Sequence, residues 1–170
     1  MPDQRVPRIR KNLQDYGDPY VSDHDKHEHG IQRCRVCQVV YYKDRWYLPD
    51  GLAPELLKTK TPHPVTCPAC RKIADKAPGG VLILSGTFLD RHRDDIIRLI
   101  QNEDSSARRD NPLERVMTIE QDGTITTVQT TNERLAQRLG KAIQRAYDGV
   151  LECKWPEDGK LARVTWRRDA

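Results

Sequence analysis

Two cysteine pairs of the same spacing, a Pro-Gly joint near residue 80, and an apolar pattern beyond it that alternates between strand and helix periods predict an α+β chain in two parts. Residues 34–79 read as a cysteine-paired ribbon carrying a Pro-rich insertion, and residues 80–170 as an α+β domain of order β-α-β-β-α-β-β. Residues 1–33 precede both as a charged arm.

The length of 170 residues excludes a large multidomain enzyme. With 36% apolar and 32% charged residues and a single Phe, the core must be economical or stapled. No stretch approaches the ~20 apolar residues of a membrane span, and the start lacks an apolar leader. A soluble, unexported, cytoplasmic protein is the expectation. There, paired cysteines more often signal metal or redox chemistry than disulfides.

Residues 1–33 balance six basic against six acidic side chains with almost no apolar periodicity, which predicts a flexible arm. The net charge of +4 arises in residues 34–79, where eight basic residues face four acidic ones, while residues 80–170 are balanced at fifteen each. A local basic excess is compatible with a nucleic-acid surface.

In the ribbon, Val39-Val40-Tyr41-Tyr42 and Arg45-Trp46-Tyr47-Leu48 flank Lys43-Asp44 as a hairpin. Pro49, Pro54, Pro62 and Pro64 mark the insertion as loop, and Lys76-Ala77-Pro78-Gly79-Gly80 marks the joint. Val81-Leu82-Ile83-Leu84 is a buried strand. A helix follows, opened by Thr87 and Asp90 at capping-box spacing, with Leu89, Ile96, Ile97 and Ile100 on one face and an end near Asn102. Segments 115–121 and 124–129 form a hairpin across Asp122-Gly123, a pair suited to a type I′ turn.

The second helix begins with Thr130 and Glu133 at capping-box spacing and stops at Asp148-Gly149. Its predicted core face is Leu135, Leu139, Ala142, Ile143, Ala146 and Tyr147. Two strands close the chain, with Leu151, Cys153 and Trp155 alternating in one and Ala162, Val164 and Trp166 in the other. The order suggests a ferredoxin-like split β-α-β unit with an extra C-terminal strand.

Cys34-Arg35-Val36-Cys37 and Cys67-Pro68-Ala69-Cys70 can each present two thiolates to one tetrahedral ion, and four soft ligands favour Zn2+. The 29 residues between the pairs require an inserted loop. A redox CxxC or chance placement are the alternatives. Four protein thiolates leave no open coordination position, so the zinc is expected to be structural. His27 and His29 are further potential ligands, though histidines in a polar segment are more often exposed.

Cys153 reads as a buried small hydrophobe, and His92 lies among carboxylates that can orient a general base but has no nucleophile beside it. The chain lacks a Walker loop, GxGxxG turn, GxSxG elbow and HExxH helix, so a non-enzyme is expected.

Arg134, Arg138, Lys141 and Arg145 fall within about 60° of arc on the second helix, centred roughly 130° from its apolar stripe. This basic ridge can track phosphates or serve as a solvated face. Tyr41, Tyr42, Trp46 and Tyr47, interleaved with Lys43 and Arg45, can stack on unpaired bases, although a small ribbon also needs aromatics for its own core. Arg71 and Lys72 add positive charge after the last cysteine.

Cys34-x-x-Cys37, Arg45-Trp46, Cys67-Pro68-Ala69-Cys70-Arg71, Ser85-Gly86-Thr87-Phe88, 111–115 (NPLER), 130–136 (TTNERLA) and Val164-Thr165-Trp166 together resemble a known group. These are small bacterial zinc-ribbon proteins grouped with the ribosome-export and nonsense-mediated-decay adaptor family, labelled as affecting ribosome stability and mRNA decay. The resemblance covers roughly residues 34–167. It implies a zinc-dependent module associated with the ribosome or its RNA, with the large subunit favoured, acting in subunit quality control or stress. Only Cys34, Cys37, Cys67 and Cys70 carry over as site residues. A protein-interaction or regulatory adaptor that binds no RNA is the second expectation.

Overall fold

The computed structural model describes residues 30–52, 54–59, 61–155 and 161–170. Residues 1–29, which hold most of the predicted arm together with His27 and His29, lie outside the described residues. The chain divides into two compact units, the first ending at Pro68 and the second spanning Ala69–Ala170, whereas the sequence suggests a boundary near residue 80.

The first unit is a four-stranded sheet of order β3-β2-β1-β4, built from β1 (Gln32–Cys34), β2 (Val40–Tyr42), β3 (Arg45–Tyr47) and β4 (His63–Val65). Its strand β1 begins inside the predicted arm, because Ile31 and Gln32 are buried. The expected β2–β3 hairpin is present, and its loop residues Lys43 and Asp44 both take positive φ, of 46° and 62°. That is the dihedral pattern of a type I′ turn, achieved without glycine and supported by the Tyr41 hydroxyl donating to Asp44 Oδ1 at 3.2 Å. Trp46 is buried and its ring lies 5.1 Å from that of Tyr41, so the ribbon spends these aromatics on its own small core.

The Pro-rich insertion is more ordered than its composition suggests. Pro49–Gly51 forms a 3-10 turn, Pro54–Thr59 forms helix α1 with proline at its first position, and β4 pairs parallel with β1. Pro64 is tolerated because β4 is an edge strand.

Helix α2 (Pro68–Asp75) leads into the second unit, a five-stranded sheet with two long helices. Its elements are β5 (Gly80–Ser85), α3 (Thr87–Asp110), β6 (Val116–Asp122), β7 (Ile125–Thr130), α4 (Glu133–Tyr147), β8 (Val150–Lys154) and β9 (Ala162–Arg167). The element order is the predicted one, but the sheet order is β6-β7-β5-β9-β8. In a ferredoxin-like arrangement the strand after the second helix would lie beside β5; here β9 takes that place, parallel to β5, and β8 is displaced to the edge. Burial accounts for the exchange. Ala162, Val164 and Trp166 of β9 are buried, whereas β8 is exposed at every residue except the half-buried Leu151.

One sheet face packs Leu82, Leu84, Val128, Val164 and Trp166 against Leu89, Ile96 and Ile100 of α3 and Leu135, Ala136, Leu139 and Ile143 of α4. Each such large aliphatic side chain stabilises the fold by about 1.5–3 kcal/mol. Ala136 and Gly140 belong to the buried face of α4, while Ala146, expected there, is exposed near the end of the helix.

Neither predicted capping box forms. Gly86 precedes α3 with φ 105°, a conformation that glycine adopts freely, and an added Cβ would strike the Arg168 carbonyl. The parallel β5–β9 pairing carries residues 168–169 to the start of α3, where the N–H of Thr87 donates to Asp169 Oδ1 and that of Phe88 to the Arg168 carbonyl. These acceptors replace a local cap, and the Thr87 N–H, together with the Arg167 guanidinium, holds the Asp169 carboxyl below its usual range. At α4 the cap is Asn132, whose side chain accepts from the Leu135 N–H at 3.0 Å.

Helix α3 kinks at His92 (φ −121°, ψ 16°) and runs eight residues past its expected end. The polar last turns are held by Ala107, which is buried, and by Asp104, which accepts from the Val116 N–H at 2.9 Å and pairs with Arg108. The second hairpin also shifts by one residue. Asp122 pairs with Ile125, so the loop is Gly123-Thr124, with positive φ at Gly123 alone, as in a type II′ turn with glycine first.

Candidate metal centre

The two CxxC turns meet because β1 and β4 run parallel, with Cys34 in register with Val65. Both strands therefore end at the same edge of the sheet, and the turn following each one approaches the other there. This pairing spans the long gap between the motifs. The first turn is closed by Gln38 N–H to the Cys34 carbonyl and Cys34 N–H to the Val39 carbonyl, with Gln38 at φ 69°.

The ligand atoms of Cys34, Cys37, Cys67 and Cys70 all lie within 4.8 Å of one another. Cys34, Cys67 and Cys70 are buried and Cys37 is half-buried. The Cys37 and Cys67 sulfurs are 3.7 Å apart, close to the edge of about 3.8 Å that a tetrahedron with metal–sulfur bonds of ~2.3 Å requires. Two N–H groups also point at the sulfurs: the backbone N–H of Cys67 donates to Cys34 Sγ and the Arg115 guanidinium to Cys70 Sγ, each at 3.3 Å. Such N–H···S contacts orient the sulfurs of a metal site. The four predicted ligands thus form one cluster suited to a tetrahedral ion, with every position taken by protein.

Arg115 lies 45 residues from Cys70 in sequence, and no local pattern marks it as part of the site. It is buried, its Nε donates to the Pro112 carbonyl at 3.0 Å, and its backbone N–H donates to Thr131 Oγ1.

The predicted RNA-facing residues fall into two groups. Lys72 is buried and donates to the Thr131 carbonyl at 2.9 Å, and Arg71 is half-buried. Arg138 is ion-paired with Glu103 at 2.8 Å and with Asp110 at 3.4 Å; the Glu103 hydrogen bond raises its pKa. No acidic residue within α4 faces the ridge, but α3 supplies two across the helix pair. Arg134 is half-buried, whereas Lys141 and Arg145 are exposed. On the ribbon hairpin, Lys43 lies over the Tyr42 ring at 5.3 Å and Arg45 over the Tyr47 ring at 5.0 Å.

His92 stacks on Phe88 with ring centroids 4.1 Å apart, a packing role beside the α3 kink. Cys153 is exposed, contrary to the buried position expected of it, because β8 lies at the sheet edge. Among the described residues, Glu114 is the one carboxyl whose pKa is shifted upward, chiefly by burial, while Asn132 Nδ2 donates to it at 3.1 Å.

No family model, curated protein or solved structure matches this chain. No helix among the described residues is long and apolar enough to cross a membrane.

Proposed function

We propose that the protein is a zinc-stabilised module that binds ribosomal RNA on the ribosome, with the large subunit as the favoured particle. Four sulfurs in a closed tetrahedral set suit Zn2+ by softness and geometry, and zinc so enclosed would hold the ribbon together. The observation that carries the RNA reading is the hairpin, where half-buried Tyr42 and Tyr47 each lie beside a cation, Lys43 or Arg45. Such pairs offer a stacking plane and a phosphate contact in the same few ångströms. Exposed Lys141 and Arg145 extend the basic surface available within the second unit, and the resemblance of residues 34–167 to ribosome-associated zinc ribbons points the same way.

Co-sedimentation with ribosomes and separated subunits across a salt series tests this. The expected result is salt-sensitive co-migration with one particle. K43E/R45E should weaken it and lower the slope of log affinity against log salt by roughly two. Absence of co-migration at low salt refutes the proposal.

The second reading, a protein-binding adaptor, draws on the ion-paired Arg138 and on Val36, which is 69% exposed at the tip of the first CxxC turn. A complex that survives nuclease treatment and varies little with salt would favour it.

A further inference from the structure

Among the described residues, strand β8 ends the five-stranded sheet with no neighbour on its outer side. Exposed edge strands are commonly blunted by charge or by covering elements. This one is not apolar-free: Val150 is 64% exposed, Trp155 just beyond it is 56% exposed, and Cys153 is exposed between them. Its charges, Glu152 and Lys154, are also exposed and flank Cys153 symmetrically.

We propose that the protein self-associates through β8, which pairs antiparallel with the β8 of a second copy about a two-fold axis at Cys153. In that register Glu152 stands opposite Lys154 of the second copy, and Lys154 opposite its Glu152, giving two opposite-charge cross-strand pairs from one symmetry operation. Leu151 stands opposite Trp155, an aliphatic–aromatic pair, and Cys153 faces itself. Two competing self-pairings are disfavoured by the same side chains. Centring the axis on Glu152 sets a carboxylate against its own copy and leaves Lys154 facing Val150. Parallel in-register pairing aligns Glu152 with Glu152 and Lys154 with Lys154. The register centred on Cys153 is self-complementary in both charge and apolar contact. It joins two five-stranded sheets into one and removes an exposed edge from each. The inference rests on the second unit alone and is independent of the RNA reading.

The test is the solution mass of the full, metal-loaded chain by light scattering and sedimentation velocity up to about 100 µM, a range that covers weak self-association. The expected species has twice the chain mass of 19.6 kDa. E152K and K154E each replace two attractive pairs by two repulsive ones, and each should weaken dimerisation on the order of tenfold or more. The double variant E152K/K154E restores both pairs with their signs exchanged and should recover the dimer. Both positions are exposed, and circular dichroism checks that each variant is folded. A second measurement uses the wild-type chain. Facing cysteines in an antiparallel pair have Cα atoms about 4.5–5.5 Å apart, within disulfide reach, so mild oxidation should give a Cys153–Cys153 crosslink that C153S abolishes. A monomer throughout the range, single variants that dimerise normally, failure of the double variant to recover, or absence of the crosslink overturns the proposal.

Discussion

Arg138→Glu separates a phosphate-binding role for the α4 ridge from a structural one. The Arg138 side chain is 33% exposed and its partner Glu103 24%, and their hydrogen bond is 2.8 Å long. A charge-assisted bond in that partly screened setting contributes about 1 kcal/mol. The pair with Asp110, at 3.4 Å to a carboxylate that is 76% exposed, adds only a few tenths of a kcal/mol. Reversal removes both attractions and sets three carboxylates together, for a total cost of about 2 kcal/mol. In a unit of this size that lowers the melting temperature by about 10 °C. The assay is urea and thermal unfolding followed by circular dichroism, with R145E as the exposed control, expected within about 0.5 kcal/mol of wild type. The charge-exchanged pair E103R/R138E should recover most of the loss. An R138E variant as stable as R145E, or a double variant no better than R138E, would refute the assignment of Arg138 to the α3–α4 ion pair.

Metal removal acts on the first unit, whose buried apolar residues outside the cysteines, among the described residues, are Ile31, Val39, Val40 and Trp46. A chelator, or Cys67→Ser, should abolish amide-exchange protection across β1–β4 while β5, β7 and β9 keep theirs; protection that persists in the ribbon would show that its core suffices without an ion. Glu114→Gln tests the buried carboxyl. Its pKa is raised in the folded state, so its contribution to stability is fully present below the unfolded value and is lost as pH rises through the folded one. The glutamine keeps an acceptor for Asn132 Nδ2 and should therefore be more stable than wild type at pH 7, with the advantage vanishing below about pH 4. Urea midpoints across that range check it, and a glutamine variant less stable at pH 7 would contradict it. Asn132→Ala should destabilise α4 by about 1 kcal/mol through loss of its N-cap, measured by the same unfolding curves.

The order of elements in the second unit, the four clustered cysteines and the ribbon hairpin were legible because each is written in local spacing. A CxxC fixes a turn, alternation fixes a strand face, and a 3.6-residue period fixes a helix face. The local signals misled where the partner lay far along the chain. Thr87 and Asp90 have the spacing of a capping box, yet residues 168–169 supply the acceptors, because β9 pairs parallel with β5. The Arg134–Arg145 stripe looks unopposed within α4, yet Glu103 and Asp110 of α3 engage its middle.

By itself, then, the sequence determined the α+β class, the four cysteines of the cluster and which helix faces are apolar. Only tertiary structure decided that β9 displaces β8 to the edge and exposes Cys153, that Lys72 is consumed internally, and that Arg115 reaches Cys70 Sγ. The physical reason is the range of the interactions. Periodicity and turn chemistry act over a few residues, whereas strand order and the pairing of buried charges depend on which distant segments bury the most surface together.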